Sequence, residues 1–201
     1  MLINVMLLTS FLIISGIIVD NRGRVVEMEK GKVRLAIPKI QSDSIVDGEG
    51  IRSVIWFQGC GHKCPGCHNP ETHSFDEGHI KDIEEVKEWI RELEFQKGIT
   101  FSGGDPMFQL EAFIELAKTT HECGMDVWVY TGYTFEELLN LGKKNKIYLD
   151  ALEQIDVLVD GRFELAKKSF DVVFRGSTNQ RILDVKASLE KQEAVRIEKY
   201  I

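Results

Sequence analysis

Gly59 to His73 reads "GCGHKCPGCHNPETH". Three of the chain's four cysteines, Cys60, Cys64 and Cys67, stand here at C-x3-C-x2-C spacing. Inert structural cysteines are usually buried singly on apolar faces. These three share a loop of Gly, Pro, His and Asn, the setting of reactive or ligating thiols. The six residues before the loop, "SVIWFQ" (53–58), are rich in β-branched and aromatic side chains and predict a strand. The thiols therefore leave the end of a strand, where α/β folds build their sites.

Outward from this loop the chain alternates. Residues 82–95, "DIEEVKEWIRELEF", put Ile83, Val86, Ile90 and Leu93 on one helical face, with Asp82 placed as a cap. "GITFS" (98–102) predicts a short strand running into "SGGDP" (102–106). A helix follows, with Leu110, Phe113, Ile114 and Ala117 inward, entered through Asp105 as N-cap and Pro106 at the first position. "MDVWVY" (125–130) predicts a strand, and Thr134 with Glu137 a capping box for the helix "TFEELLNL". "IDVLVD" (155–160) is another strand, "RILDV" (181–185) a short strand or extended run, and a short charged helix or tail follows. Alternation of this kind predicts an α/β fold with parallel pairing and right-handed crossovers. It gathers "GCGHKCPGCHNP", "SGGDP", "YTGYT" and "VDGRF" at the C-terminal edge of the strands.

The chain's 201 residues suffice for one such domain. The net charge of -7, and no basic run longer than Lys143–Lys144, argue against a nucleic-acid partner. Four cysteines are too few for a disulfide scaffold of this length, so a reducing, cytoplasmic setting is expected. Met1 to Val19 carries no charge. As a membrane anchor it is borderline in length and diluted by Asn4, Thr9, Ser10 and Ser15. As a signal peptide it lacks a basic start, since no Lys or Arg precedes Arg22. A third reading begins the functional chain at Met28, where "MEKGKVRLAIPKIQ" is an ordinary soluble start. On that reading residues 1–27 are a mis-assigned extension and 28–201 form a single domain, with membrane association unexpected.

Three uses of the thiols compete. A structural zinc site needs four ligands, which His62, His68 or His73 could complete, but such sites usually pair their ligands as two separated C-x2-C units. Buried bystander thiols fit the polar loop poorly. A cubane iron–sulfur cluster normally takes four thiolates, so three would leave one iron open to a substrate or cofactor.

The spacing resembles that of the radical S-adenosylmethionine (SAM) enzymes, and "SGGDP" resembles their "GGE" motif, with Asp105 in place of Glu. Further segments are similar to the anaerobic ribonucleoside-triphosphate reductase-activating proteins. They are "DGEGIRSVIWFQGCGHKCPGCHNPETH" (47–73), "SGGDPM" (102–107), "VYTGYTFEEL" (129–138), "DVLVDGRFE" (156–164) and "FRGSTNQRILDV" (174–185). The resemblance spans roughly Val33 to Val185. It implies a partial (incomplete) parallel β/α barrel, a [4Fe-4S] cluster on Cys60, Cys64 and Cys67, and SAM on the open iron. It implies that the enzyme installs a glycyl radical on the large reductase subunit, fed by a low-potential donor such as flavodoxin or ferredoxin. Gly66, Cys67 and His68 would lie along SAM, and Gly103, Gly104 and Asp105 at its amine. Asp160 and Arg162 of "DGR" would reach its ribose or carboxylate, or form a plain turn. Tyr130 or Tyr133 would line the adenosine pocket or the core edge. Arg175, Asn179 and Gln180 would face SAM or the glycyl loop. His62 and His73 are expected as polar loop residues, and Cys123 as a buried bystander. A 7-carboxy-7-deazaguanine synthase shares the "GEG" before the first strand, but "GCHNPETH" and "FRGSTNQRI" count against it. A zinc-held interaction module without catalysis is the reading from another class.

Overall fold

The computed structural model describes residues 29–201 and, before them, the backbone of two short strands, β1 (Ile17–Val19) and β2 (Val25–Glu27). These two pair antiparallel as a separate sheet. The rest of the proposed 1–27 extension lies outside the described residues.

The main sheet has eight strands, and four of them form its parallel centre. β5 (Arg52–Phe57), β7 (Gly98–Gly103), β8 (Asp126–Tyr130) and β9 (Val157–Asp160) pair in that order, each parallel to the next. Their near-continuous apolar runs suit strands buried on both faces. Helices α1 (Ile83–Arg91), α2 (Leu110–Glu122), α3 (Phe135–Gly142) and α4 (Ile147–Leu152) make the crossovers. Ile83, Val86 and Ile90 of α1 and Leu110, Phe113 and Ala117 of α2 are buried, as the 3.6-residue period requires. In the core Phe101 packs between Phe57 (6.1 Å) and Phe113 (5.1 Å). The Thr134–Glu137 capping box is present, with Thr134 Oγ1 accepting from Glu137 N and Glu137 Oε2 from Thr134 N. No helix among the described residues is long and apolar enough to cross a membrane.

The flanks of the sheet depart from the all-parallel expectation. β10 (Arg181–Asp184) runs antiparallel to β9. On the other side β3 (Lys32–Leu35) and β4 (Gln41–Ser44) pair antiparallel to β5, and β6 (His79–Asp82) pairs antiparallel to β3. The sheet is therefore mixed, and open at β10 and β6. These four strands have four residues each, and two read "QSDS" and "HIKD". Such short polar runs carry no strand periodicity; partner backbones impose the conformation. Asp82 precedes α1, but its carboxylate accepts from Lys32 Nζ (2.7 Å) rather than capping the helix. Asp105 caps a 3₁₀ turn, Pro106–Phe108, and α2 begins beyond it. A fifth helix, α5 (Val185–Lys191), follows β10, with Asp184 as its side-chain cap.

At the N-terminal end of the parallel strands sits a fully buried arginine. Arg52 Nε donates to Thr100 Oγ1 (2.9 Å) and Nη2 to the Ile99 carbonyl (3.0 Å). Nη2 also pairs with Asp126 Oδ1 at 2.5 Å, and the guanidinium lies 5.2 Å from the Trp128 ring centre. One side chain thus ties β5, β7 and β8, and its charge is tolerated because every face of it meets a partner. Arg52→Ala should lower the unfolding free energy by about 3–5 kcal/mol in urea titration. Lys146→Ala, which removes an exposed pair with Asp150, should change it by less than about 0.5 kcal/mol. Equal shifts for the two variants would refute this role for Arg52.

Candidate cluster and cofactor site

The cysteine loop is pinned where β5 ends. Gln58 is buried, and its Nε2 donates to the carbonyls of Glu71 (3.1 Å) and Ser74 (2.8 Å). Gly59 N donates to Thr72 O and Cys60 N to His73 O, so the loop closes on the short turn Pro70–His73. Inside it Cys67 N donates to Cys64 O, and Asn69 N points at Cys67 Sγ (3.4 Å).

Cys60, Cys64 and Cys67 all line one cavity of about 380 Å³. Cys60 is buried and the other two are half-buried. Burial pushes the Cys60 thiol up to about 12, with the Asp105 charge adding to it; backbone hydrogen bonds from His62 and Lys63 oppose the shift. Burial also raises Cys64, against a backbone hydrogen bond from Phe163. Such thiols keep their protons until a metal cation replaces them. Among the described residues, no three His, Cys, Asp or Glu side chains form a ready single-ion site. Three thiols on one cavity match a cluster whose irons each take one thiolate, and are one ligand short of a four-coordinate structural zinc site. The donor set and the amides aimed at sulfur therefore fit an iron–sulfur cluster.

The loop after β7 forms the facing rim. Gly103 has φ +94°, and a Cβ there would stand 2.6 Å from the Phe57 carbonyl oxygen. At Gly104 a Cβ would stand 2.4 Å from the Gly59 oxygen. Only glycine allows this approach. It lets Gly104 N donate to Phe57 O (2.7 Å) and Asp105 N to Gly59 O (3.0 Å). Both glycines line the cavity.

Asp105 itself turns inward and is 1% exposed. Its Oδ1 accepts from Met107 N (2.9 Å). Its Oδ2 accepts from Thr131 Oγ1 and Gly132 N and meets His62 Nε2, each at 2.9 Å. His62 Nδ1 in turn accepts from Arg162 Nε (3.3 Å), and the ring packs edge-on against Tyr133 at 4.6 Å. The carboxylate is fully engaged within the protein and is not on the cavity wall.

Asp160 behaves alike. It is fully buried, accepts from Phe135 N (2.8 Å) and Arg181 Nε (2.9 Å), and also pairs with Arg181 Nη2. Arg181 extends to Glu136 at 2.7 Å. Gly161, rather than Asp160 or Arg162, lines the cavity. His68 is on the wall, its ring 4.9 Å from Phe163, whereas Gly66 lies behind it at φ +74° against Leu165. Tyr130 is on the wall and donates from its hydroxyl to Phe174 O (3.0 Å); Tyr133 belongs to the core edge. Arg175 and Gln180 face the cavity, but Gln180 spends its amide on the loop, accepting from Gly176 N and donating to Gly161 O. Asn179 stands off the wall and donates to the Arg162 carbonyl. His73 lines the cavity, and burial, with the Lys63 charge adding to it, pushes its imidazole below the ordinary histidine range. Cys123 corrects an expectation: it is exposed, because it caps the solvent end of α2 before Gly124. A larger cavity of about 640 Å³ opens between α2, α4 and residues 29–32, but it contains no cysteine.

Sequence reasoning missed Thr131 and Gly132 as donors to Asp105, and the aromatic walls Phe163 and Phe174. "YTGYT" carried a signal, a hydroxyl and a glycine amide just after a strand. Their acceptor lies 26 residues upstream and becomes a neighbour only through parallel pairing of β7 with β8.

Comparison with known proteins agrees with this geometry. The profile of the 4Fe-4S single cluster domain family matches residues 46–183, which include all four strand-end loops. The anaerobic ribonucleoside-triphosphate reductase-activating protein of Pasteurella multocida (strain Pm70) is 38% identical over 146 residues, covering 69% of this chain and 90% of that protein. The protein of the same name from Escherichia coli (strain K12) is 36% identical over 150 residues, covering 68% and 90%. The one from Enterobacteria phage T4 is 32% identical over 153 residues, covering 72% and 90%. The chain belongs to the family of anaerobic ribonucleoside-triphosphate reductase-activating proteins, built on a 4Fe-4S single cluster domain.

Proposed function

We propose that this protein is a radical SAM activase that generates a glycyl radical on the large subunit of an anaerobic ribonucleoside-triphosphate reductase. The observation that carries the reading is one cavity bounded by three thiols on one side and the backbone of two adjacent glycines on the other. Three thiolates are one short of a cubane's complement, which leaves a coordination position for SAM. With SAM bound, the cluster supplies one-electron reductive cleavage to a 5′-deoxyadenosyl radical, which abstracts the hydrogen; this chemistry belongs to the cofactors.

The chain's own part is binding, orientation and exclusion of water. Cys60, Cys64 and Cys67 ligate, and the Asn69 amide stabilises negative charge on the Cys67 sulfur. The main chain at Gly103 and Gly104 receives the methionyl amine, while Cys67 and His68 flank the cofactor and Gly66 turns the loop behind them. Asp105 and Asp160 serve by holding these loops in register, each through buried hydrogen bonds. Arg175 on the wall is the cationic group for a carboxylate, while Arg162, off the wall, donates to His62 and so supports the loop network around Asp105. Tyr130, Phe163 and Phe174 give the otherwise polar cavity an aromatic wall, which would help keep water from a radical. The parallel strands β5, β7, β8 and β9 are read as the parallel half of an incomplete β/α barrel. A low-potential flavodoxin or ferredoxin is the donor class, and the free thiols fit the reducing cytoplasm.

The test is anaerobic. The protein is reconstituted with iron and sulfide, reduced, mixed with SAM and the reductase, and read by electron paramagnetic resonance. A glycyl doublet that requires SAM is expected. Zinc without acid-labile sulfide, and no 5′-deoxyadenosine, would sink the reading. Cys60→Ala, Cys64→Ala and Cys67→Ala should each abolish SAM cleavage, whereas Cys123→Ala should keep the full iron content. Asp105→Asn turns an amide donor toward the donors around Oδ2. It should cost about 1–3 kcal/mol in urea unfolding and reduce iron bound per chain. Wild-type stability and iron content in that variant would show that the carboxylate does not organise the loops.

A further inference from the structure

Beyond β10 the chain returns to the sheet face opposite the helices. A small second core lies there, with Trp128, Val159 and Ile182 buried, and it is covered by Phe174, Ile197 and Tyr200. Segment 197–200 is fixed to the strand by Ile197 N donating to Ile182 O (3.0 Å). Three rings interlock edge to face: Trp128 with Phe174 at 5.6 Å, Trp128 with Tyr200 at 6.1 Å, and Phe174 with Tyr200 at 5.7 Å. Arg175 Nη2 donates to the Tyr200 carbonyl at 2.6 Å.

Phe174 and Arg175 line the cluster cavity, so the grip on them acts directly on its wall. Phe174 is held at φ +55°, in the left-handed region that a bulky residue enters only under constraint. The loop carrying it projects from the sheet. It is closed at its base by the Lys168–Ser177 bridge, and Phe170 beyond that bridge is 91% exposed. Phe174 packs against the second core, its ring partners there being Trp128 and Tyr200, and its carbonyl accepts from the Tyr130 hydroxyl. The same segment reaches the opposite rim. Lys199 Nζ pairs with Glu49 at 2.7 Å, and Glu49 is two residues from Asp47, which also lines the cavity. Lys199, and after it Lys97, hold the Glu49 carboxyl down to about 2. This segment lies beyond residues 46–183, where the domain profile matches.

We infer that segment 197–200 is a positioning strap, and that Tyr200 is a positioning residue that sets the Phe174 and Arg175 wall of the cofactor cavity. The inference rests on the SAM reading of that cavity for its consequence, though not for its geometry. Without the Tyr200 ring, Phe174 loses one of its two ring partners and Arg175 loses an ordered acceptor. The wall then loosens while the cysteine loop, pinned separately through Gln58, stays intact.

The experiment compares reconstituted wild type, Tyr200→Ala and Tyr200→Phe for iron content, amide hydrogen exchange over residues 168–178, and SAM affinity by equilibrium dialysis. Tyr200→Ala should keep its iron, speed exchange in 168–178 by about tenfold, and weaken SAM binding roughly five- to tenfold. Tyr200→Phe keeps the ring and should match wild type in all three. Wild-type exchange in Tyr200→Ala, or a loosened loop with unchanged SAM affinity, would overturn the strap. So would Tyr200→Phe behaving like Tyr200→Ala. If Tyr200→Ala fails to fold, Lys199→Glu sets two carboxylates together at an exposed site and should show the same changes in smaller measure. If wild type binds no SAM, the cofactor reading falls, and the exchange rates alone decide the strap.

Discussion

A single buried carboxylate holds the functional end of this molecule together. Asp105 receives hydrogen bonds from its own turn, from the loop after β8 and from His62 in the cysteine loop. Three loops that leave three parallel strands are thus tied at one point. A buried carboxylate is costly unless its lone pairs are filled, and here four donors fill them. That cost is also the source of its specificity, because any shift of one loop leaves a donor or acceptor unsatisfied in a dry interior. Asp160 repeats the device two strands further on, at the end of β9, joining the start of α3 to β10 through Phe135 N and Arg181.

Around these fixed points the chemistry is prepared rather than complete. Burial makes the Cys60 thiol a weak acid. In the metal-free chain this favours the fold below the ordinary thiol range near 9, and the advantage is lost as pH rises towards about 12. Ligation replaces the proton with iron and removes that penalty. The amides aimed at sulfur favour the thiolate over the thiol. The cavity's far wall has a different origin. It rests on aromatic contacts to a segment outside the matched domain profile, with the Arg175 bond to the Tyr200 carbonyl and the exposed Lys199–Glu49 pair beside them.

Much of this was legible in order along the chain. The thiol spacing, the strand before it, the glycine pair after the next strand and the Thr134–Glu137 box are local patterns, and each is present as read. Strands β4 and β6 were not legible, because "QSDS" and "HIKD" are polar segments with no period to detect, and β3, "KVRL", alternates over only four residues, too few to stand out. Arg52 was hidden for another reason. A lone arginine in "GIRSV" reads as surface, and only the meeting of three strands buries it and supplies Thr100, Asp126 and Trp128 as partners.

The division follows the range of the forces. The three loop cysteines lie within eight residues of each other, and helix caps and turn glycines act over three or four, so the sequence alone determines the thiol set, the parallel centre and the family. Roles that depend on contacts across dozens of residues were decided by the tertiary structure. Asp105 and Asp160 carry the acidic type expected at a ligand site, yet the fold turns both inward because unpaired donors of neighbouring loops converge there. Tyr200 lies 26 residues from Phe174 in the chain, and only the return of the backbone across β10 places their rings at 5.7 Å.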